Sequence, residues 1–274
     1  MSAPGWAEGR SRLAAPVFAP LGPALARLPA GDWPTPEALS AAARGISTEE
    51  GKPLRFVAPS ISPPRERVPY ELRIARTGEV ETRPGSWHDL FNALAWIAFP
   101  RTKARLNAQH AAILARGGER EGRRRGPERD ALTLFDESGL LVASAAPELE
   151  RLARDHAWKA LFWTRRAELA ARMEFLAFGH ALHEKALDPY PGLVARAVFL
   201  PVDEGHFAMP LESRLVRVDA LAAAHFAIPA HFASPRAMPP LPILGIPGWH
   251  PGNARESYYD DAAHFRPGRS VPDA

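Results

Sequence analysis

Proline is concentrated towards the two ends of this 274-residue chain, and this distribution limits where regular structure can form. A proline lacks a backbone N–H donor, so it interrupts helices and is confined to the edges of sheets. The stretches FAPLGPAL and ASPRAMPPLPILGIPGW, one near each end, therefore predict extended arms. We expect a proline-rich arm over residues 1–67, a core domain over 68–228, and a second proline-rich arm over 229–274 that packs on the core.

Between the arms, the hydrophobic pattern changes repeatedly between helical and strand-like spacing. Ser86 begins SWHDLFNALAWIAF, which indicates a helix that is apolar nearly all round. YELRIARTGEVETR alternates on a period of two around Thr77 and Gly78, and ALTLF and LLVAS flank an acidic turn; both patterns are typical of hairpins. The predicted fold is α+β: helices at 86–116, 147–172 and 179–187 cover a small, mostly antiparallel sheet, made of hairpins near 70–83 and 131–144 and strands near 174 and 196.

The charge distribution leaves an anionic partner open. The net charge is +3 and the sequence pI is near 9.5, which is a small basic excess for a chain of this length. The one dense basic run, RGGEREGRRRGPER from 116 to 129, contains glycines and acidic residues, which favours a solvated, mobile loop. A small anionic ligand and a nucleic acid both stay open as partners.

Composition and hydropathy limit the kinds of metal site that the chain can form and its location in the cell. The chain contains no cysteine, so disulfides, iron–sulfur clusters and thiolate zinc sites are excluded, and a metal would need His, Asp, Glu, Asn or water. The N-terminal apolar stretch is broken by prolines and preceded by Glu8, which fits a signal peptide poorly. The longest apolar run, 90–100, is too short for a bilayer. We therefore expect no membrane span and a cytoplasmic location.

Five longer motifs together carry a resemblance to a known family. They are WHDLFNALAWIAFPRTKARLNAQH, RGPERDALTLFDESGLLVAS, FGHALHEKALDPYPGL, LPILGIPGW and YYDDAAHFRP. With these motifs the chain resembles the bacterial, mainly proteobacterial, domain-of-unknown-function family 3025 over roughly residues 68–268. His250 and His264 depart from the family pattern, so they receive little functional weight. The resemblance implies an identity but supplies no reaction, cofactor or partner.

Polar residues on otherwise apolar helices are the main candidates for catalysis and binding. Such groups need partners, because burying one bare costs about 1–3 kcal/mol. His88 and Asn92 are four residues apart and share a helical stripe, and an antiparallel helix pair could bring them near Asn107 or His110. The predicted catalytic residues are His88, Asp89, His110 and His180, and the predicted ligand-binding residues are Asn92, Asn107, Arg101 and Lys103.

The stretch GHALHEKAL contains two histidines and a glutamate, which are residue types that bind metal ions. His180, His183 and Glu184 have spacings that place them on one broad helical face, although H-x-x-H-E is not the H-E-x-x-H order of zinc proteases. With a carboxylate from Asp136, they would make a mixed nitrogen and oxygen site for a divalent metal. The predicted metal ligands are therefore His180, His183, Glu184 and Asp136.

Three classes of function stay open, beside the simpler interpretation that these residues are interior histidines, caps and turns. The first is a hydrolase-like enzyme, with or without a divalent metal, built on the His, Asp and Asn residues above. The second is a binding module for an anion or nucleic acid, using Arg101, Lys103 and the 116–129 run. The third is an assembly factor that docks partners on the apolar C-terminal arm. The recurrence of polar residues in apolar segments favours the enzyme.

Overall fold

The computed structural model describes residues 4–59, 68–121 and 126–268. Helices dominate these ranges and surround a small sheet. The α-helices are α1 (Trp6–Arg12), α2 (Gly22–Leu25), α3 (Pro36–Ala42), α4 (Tyr70–Thr77), α5 (Trp87–Ala98), α6 (Pro100–Glu121), α7 (Pro127–Ser138), α8 (Pro147–Arg154), α9 (Arg166–Arg172), α10 (His180–Ala186) and α11 (Leu211–His225). None of the helices in the described ranges is long and apolar enough to cross a membrane.

Strands form two sheets in the described residues. The strands are β1 (Arg55–Val57), β2 (Glu79–Glu81), β3 (Gly139–Ser144), β4 (Met173–Ala177), β5 (Val194–Pro201) and β6 (Pro240–Pro242). The larger sheet has the order β4, β3, β5, β6, with β3 and β5 parallel and the two outer pairings antiparallel. β1 and β2 form a separate parallel pair. Helices on a small sheet of mixed strands confirm the predicted α+β class.

The central strand β3 explains why helices cover both faces of the sheet. Its sequence GLLVAS is buried throughout, so each face needs an apolar cover. Leu140 and Val142 join one hydrophobic cluster with Phe91 of α5, while Leu141 joins a second cluster with Phe135 of α7. The helix α5 also contacts α6 and α10, and α7 contacts the same two helices. This arrangement places α5, α6, α7 and α10 around a common space.

The predicted hairpin at 70–83 is wrong, because its first half is helix α4. Ile74 and Ala75 are adjacent and buried, which fits a helix and not an alternating strand. Gly78 has φ of 72° and ends the helix in the left-handed conformation, so the Thr77–Gly78 pair is a helix terminus instead of a hairpin turn. The following strand β2 pairs in parallel with β1.

The predicted hairpin at 131–144 is also wrong in its first half. ALTLFDES lies in α7, which begins at Pro127 in the first helical position and buries Ala131, Leu132 and Phe135 on one face. Only LLVAS forms a strand, β3, as predicted. The acidic residues of the supposed turn therefore lie on the last turn of a helix.

The other predicted elements are mostly confirmed. The predicted 147–172 helix is broken: α8 and α9 are separated by a positive φ of 56° at His156 and by a π-helical segment, Ala160–Thr164. β4, α10 and β5 lie near the predicted positions. The basic run is a partial exception, since α6 continues to Glu121, where a loop was predicted. Residues 122–125 of that run lie outside the described ranges.

Both arms pack on the core. The N-terminal arm contains the short helices α1, α2 and α3, and residues 1–3 and 60–67 lie outside the described part. In the C-terminal arm, Leu241, Ile243 and Phe265 are buried. Asn253 fixes this arm by donating from Nδ2 to the carbonyls of Leu244 at 2.9 Å and Ile246 at 2.7 Å. These three apolar residues of the C-terminal arm therefore belong to the hydrophobic core.

Candidate functional site

A cavity of about 440 Å³ lies between α4, α5, α7 and α10. Helix α5 positions three polar side chains on its wall, because its apolar face is occupied by Phe91 and other core residues. Ser86 caps this helix by accepting a hydrogen bond from the Asp89 N–H, as the sequence predicts. The cavity brings together six of the predicted site residues: His88, Asp89, Asn92, His110, Asp136 and His180.

A buried lysine organises the floor of the cavity. Lys103 is only 4% exposed, and its Nζ donates to Asn92 Oδ1 at 2.9 Å and to Asp136 Oδ1 at 2.5 Å. Asn92 in turn donates from Nδ2 to the Tyr70 hydroxyl at 3.0 Å. Burial opposes ionisation of Asp136, but the charge and hydrogen bond of Lys103, together with the nearby His180 and His110, place the pKa of Asp136 below its usual value. Asp136 is therefore an ionised, paired carboxylate.

Lys103 was predicted to bind a ligand, and in the structure its ammonium group contacts two protein acceptors. Arg101 is exposed and lines a different cavity of about 360 Å³, near α11. Its backbone N–H and that of Thr102 donate to the Asp219 carboxylate at 3.0 and 2.8 Å, which caps the first turn of α6. Arg101 and Lys103 therefore do not form the common anion site that the sequence suggested.

Glu71 belongs to the cavity, and the sequence prediction missed it. Asn107 holds this residue by donating from Nδ2 to Glu71 Oε2 at 2.6 Å and to the Glu71 carbonyl at 2.9 Å. Burial, followed by repulsion from Asp136, raises the pKa of Glu71 to about 7. Asn107 thus lies behind an acidic residue and does not line the main cavity. The helical position of Glu71 could have been found only if residues 70–77 had been assigned to a helix.

Two histidines meet at the cavity wall. The rings of His88 and His180 are 4.5 Å apart and nearly perpendicular. His88 Nδ1 lies 2.9 Å from Glu184 Oε2. If the carboxylate is ionised it can only accept, so Nδ1 carries the hydrogen and, in neutral imidazole, Nε2 keeps the lone pair. This pairing gives His88 the arrangement of an oriented base.

His180 is held as a neutral ring. Its side chain is nine-tenths buried, and burial lowers its pKa to about 4, although the nearby charge of Asp136 opposes this shift. Nδ1 lies 3.6 Å from Asp136 Oδ2, which is too far for a hydrogen bond. His110 also lines the cavity, and it is 4% exposed. Both imidazoles thus line the same cavity.

The four residues predicted as metal ligands do not face a common point. His180 and Asp136 line the cavity, and Glu184 is partly exposed beside His88. His183 is fully buried, with its ring stacked 5.8 Å from Phe18 and 5.5 Å from Phe91. On a helix, His183 and Glu184 lie on opposite sides of His180, at about −60° and +40°. Throughout the described ranges, no three His, Asp or Glu side chains are grouped to hold a metal ion.

Acidic groups at the cavity rim are paired with arginines. Arg83 donates to both carboxylate oxygens of Asp89 at 2.8 Å. Burial opposes ionisation of Asp89, but these hydrogen bonds lower its pKa below the usual value. Arg73 similarly pairs with Glu79 at 3.0 Å and with Glu81. The carboxylate of Asp89 is therefore a partner of Arg83 as well as part of the cavity wall.

The comparison with known proteins agrees with the motifs in the sequence. The chain matches the profile of the family described as "Protein of unknown function (DUF3025)" over residues 54–269. No curated protein and no solved structure gives a significant match to the chain. Because the matched region covers most of its length, the chain belongs to the DUF3025 family.

Proposed function

We propose that this member of the DUF3025 family is an enzyme that performs general acid–base catalysis in the cavity, with hydrolysis of a small polar substrate as the reaction class. One observation carries the proposal: His88, His110, His180, Glu71 and Asp136 converge on one cavity from five different helices. Ionisable groups that share a cleft and have perturbed pKa values are typical of active sites. Residues that served only as helix caps or in turns would have no reason to meet in one cavity.

In this proposal, His88 is the general base. Glu184 holds Nδ1 at 2.9 Å, which fixes the ring and leaves Nε2 to take a proton. A carboxylate in this position also stabilises the imidazolium that forms. Because the reaction class is hydrolysis, we assign water as the nucleophile that His88 deprotonates.

Glu71 is the general acid. A carboxyl group with a pKa of about 7 is about half protonated at neutral pH, so it can give a proton to a leaving group and regain one. The hydrogen bonds from Asn107 fix its orientation. Acid–base enzymes commonly hold an acid and a base in two environments that move their pKa values apart.

The remaining polar groups position the substrate. His180 is neutral at physiological pH and can donate or accept one hydrogen bond at each ring nitrogen. Asp136, Lys103 and Asn92 form a rigid network below it, because each is held by at least one short hydrogen bond. Rigid supporting groups keep reacting atoms in place and so contribute to rate.

The test is a hydrolysis screen with the full chain. Chromogenic carboxylic esters, amides, phosphate esters and glycosides are offered to the wild type, His88→Gln and Glu71→Gln. We expect one class to be hydrolysed, and each variant to lose about 10²–10⁴-fold in kcat, which is the usual contribution of a general acid or base. His231→Gln is the matched control, because His231 lies outside the cavity, next to His225. Wild-type protein that hydrolyses none of the classes, or variants as active as the wild type, would contradict the proposal.

A further inference from the structure

The contact between Lys103 and Asn92 fixes which atom of the Asn92 amide faces Tyr70. An ammonium group can only donate hydrogen bonds, so the atom of Asn92 that lies 2.9 Å from Lys103 Nζ is the amide oxygen. The amide nitrogen, Nδ2, therefore faces the Tyr70 hydroxyl at 3.0 Å and donates to it. Because the Tyr70 oxygen is the acceptor in this bond, the hydrogen of the hydroxyl points in another direction.

This hydroxyl hydrogen is available to a molecule in the cavity. Within the described ranges, Asn92 is the one hydrogen-bond partner of Tyr70, and no protein acceptor takes the hydrogen. Tyr70 lines the cavity and is 41% exposed as a residue, so a bound molecule can contact it. Desolvation of the hydroxyl end, followed by the charge of Glu71, raises the pKa of Tyr70 above its ordinary value, so the hydroxyl stays protonated at neutral pH.

The bonds that begin at Lys103 make Tyr70 a stronger donor. Hydrogen bonds in a chain polarise one another, so a hydroxyl whose oxygen accepts a bond becomes a better donor through its hydrogen. The charge of Lys103 polarises the Asn92 amide in the same direction. Lys103 is 4% exposed and Asn92 is 8% exposed, so water weakens this polarisation little. Tyr70 is thus a neutral donor whose orientation is set by buried groups.

The donor lies about one helical turn from the proposed base. Asn92 follows His88 by four residues on α5, and the Cβ atoms of such a pair are about 5–6 Å apart. The Tyr70 hydroxyl is bonded to Asn92, and the rings of Tyr70 and His88 line the same cavity. This spacing suits a single functional group that has one end at His88 and the other at Tyr70.

We infer that Tyr70 donates its hydroxyl hydrogen to the carbonyl oxygen of a carboxylic ester or amide, and so stabilises the oxyanion that forms during hydrolysis. This inference rests on the proposed function, because it names the substrate class and a further catalytic residue of the same site.

In the reaction, water adds to the carbonyl carbon while His88 takes one of its protons, and the electron pair of the C=O double bond moves to the oxygen held by Tyr70. When that pair returns, the bond to the leaving group breaks and Glu71 protonates the alcohol or amine. The products are a carboxylic acid and the protonated leaving group. Exchange with solvent then moves the proton from His88 to Glu71, which restores the starting state.

The same donor does not suit the other substrate classes of the hydrolysis screen. A phosphate ester is charged before it reacts and is held by arginine, lysine or a metal ion. Among the described lining residues, Arg83 is the one arginine or lysine, and its guanidinium is bonded to Asp89. Arg129, whose charge acts on Glu71, is not among them. A glycoside passes through a positively charged transition state, to which a hydroxyl donor contributes little.

Acetophenone, a ketone that cannot be hydrolysed, tests the hydrogen bond without turnover. Its carbonyl carbon is labelled with ¹³C, and its binding to the full chain is followed by NMR, in which a hydrogen bond to the oxygen moves the carbonyl signal downfield. The matched probe is α-methylstyrene, which has CH₂ in place of the carbonyl oxygen and so keeps the shape but cannot accept a hydrogen bond.

Tyr70→Phe removes the hydroxyl and keeps the ring. It should weaken acetophenone binding about 2- to 12-fold, which is the value of one neutral hydrogen bond, and move the bound carbonyl signal upfield. Binding of α-methylstyrene should not change, which shows that the cavity is intact. Tyr190→Phe is the matched control, because Tyr190 is exposed and does not line the cavity.

Three results would overturn the inference: no binding of acetophenone to the wild type, the same affinity and carbonyl signal in Tyr70→Phe, or an equal loss of both probes. The last result would mean that the hydroxyl only shapes the cavity.

Kinetics separate this inference from the proposed function. On the ester or amide that the wild type hydrolyses, Tyr70→Phe should lower kcat about 10²–10³-fold, far more than it raises KM. Hydrolysis of phosphate esters or glycosides alone would overturn the inference and leave the acid–base proposal standing. A wild type that binds acetophenone as expected but hydrolyses nothing would contradict the proposed function and keep the hydrogen bond from Tyr70.

Discussion

Lys103 and Asp136 form the ion pair on which the geometry of the cavity depends, and a double-mutant cycle measures its strength. Lys103→Met keeps the length of the side chain but removes its charge. It leaves Asp136, whose side chain is 19% exposed, without the partner that lies 2.5 Å away, and Asn92 Oδ1 without its donor at 2.9 Å. The expected effect is a large loss in the free energy of unfolding.

The size of the loss follows from the burial and the distance. Opposite charges about 4 Å apart attract by about 4 kcal/mol at an effective dielectric constant near 20, and removing one partner of a buried pair commonly costs about 3–5 kcal/mol. The partial exposure of Asp136 favours the lower limit, about 3 kcal/mol. At about 2–4 °C per kcal/mol, the melting temperature should fall by about 6–12 °C.

The assay is urea and thermal unfolding of the wild type, Lys103→Met, Asp136→Asn and the double variant at pH 7. We expect the double variant to be more stable, by about 2 kcal/mol, than the sum of the single losses implies, because the second substitution removes a charge that is already unpaired. Lys185→Met is the matched control, since Lys185 is exposed on α10, and it should change stability by less than about 0.5 kcal/mol. A loss below about 1 kcal/mol for Lys103→Met, or simple additivity in the cycle, would refute the reasoning.

Three further predictions concern stability elsewhere in the fold. Burial lowers the pKa of His183 to about 3, so below pH 6.5 the unfolded chain binds a proton that the folded chain does not. His183→Phe should therefore remove about 2 kcal/mol of destabilisation at pH 5. Wild type and variant with the same dependence of unfolding free energy on pH would contradict this. Gly78→Ala should lower the free energy of unfolding by more than about 1 kcal/mol, because the φ of Gly78 is +72° and a Cβ would lie 2.1 Å from the Pro53 carbonyl oxygen. Gly31→Ala is the control in the same urea titration, and it should be tolerated because Gly31 has open space around it. Asp219→Ala should cost about 1–2 kcal/mol by urea unfolding because it uncaps α6, and a cost as large for Asp219→Asn would argue against a capping role.

The polar residues of α5 show what the sequence could predict. This helix is apolar nearly all round, so it had to be buried, and polar groups on a buried helix need partners. The expectation that His88 and Asn92 meet polar groups from other segments follows from that requirement alone. The structure adds the identity of those groups, Glu184 and Lys103, which spacing along the chain could not supply.

Glu71 lies in a segment whose hydrophobic pattern predicted a strand where the structure has a helix. The segment around it is short, and Tyr70, Leu72 and Ile74 alternate as they would in a strand. An eight-residue segment of this kind fits either structure, and tertiary contacts of α4 with α6 favour the helix. Once the segment is helical, Glu71 faces Asn107 across that contact, which sequence periodicity does not reveal.

His183 shows a second limit. Helical spacing correctly put it near His180, but it did not show which side of the short helix faces the core. That choice depends on Phe18, which comes from the distant N-terminal arm and stacks on the His183 ring. Long-range packing of this kind decides whether a histidine becomes a ligand or a core residue.

The central claim is that the cavity holds an acid poised near neutral pH beside oriented histidines. A ¹³C NMR titration of the side-chain carboxyl groups tests it most directly, with the Glu71 signal assigned by its loss in Glu71→Gln. The account predicts a midpoint of about 7 for Glu71. A midpoint near the ordinary value of 4.5 would contradict it, because Glu71 would then be fully ionised at neutral pH and unable to serve as the general acid.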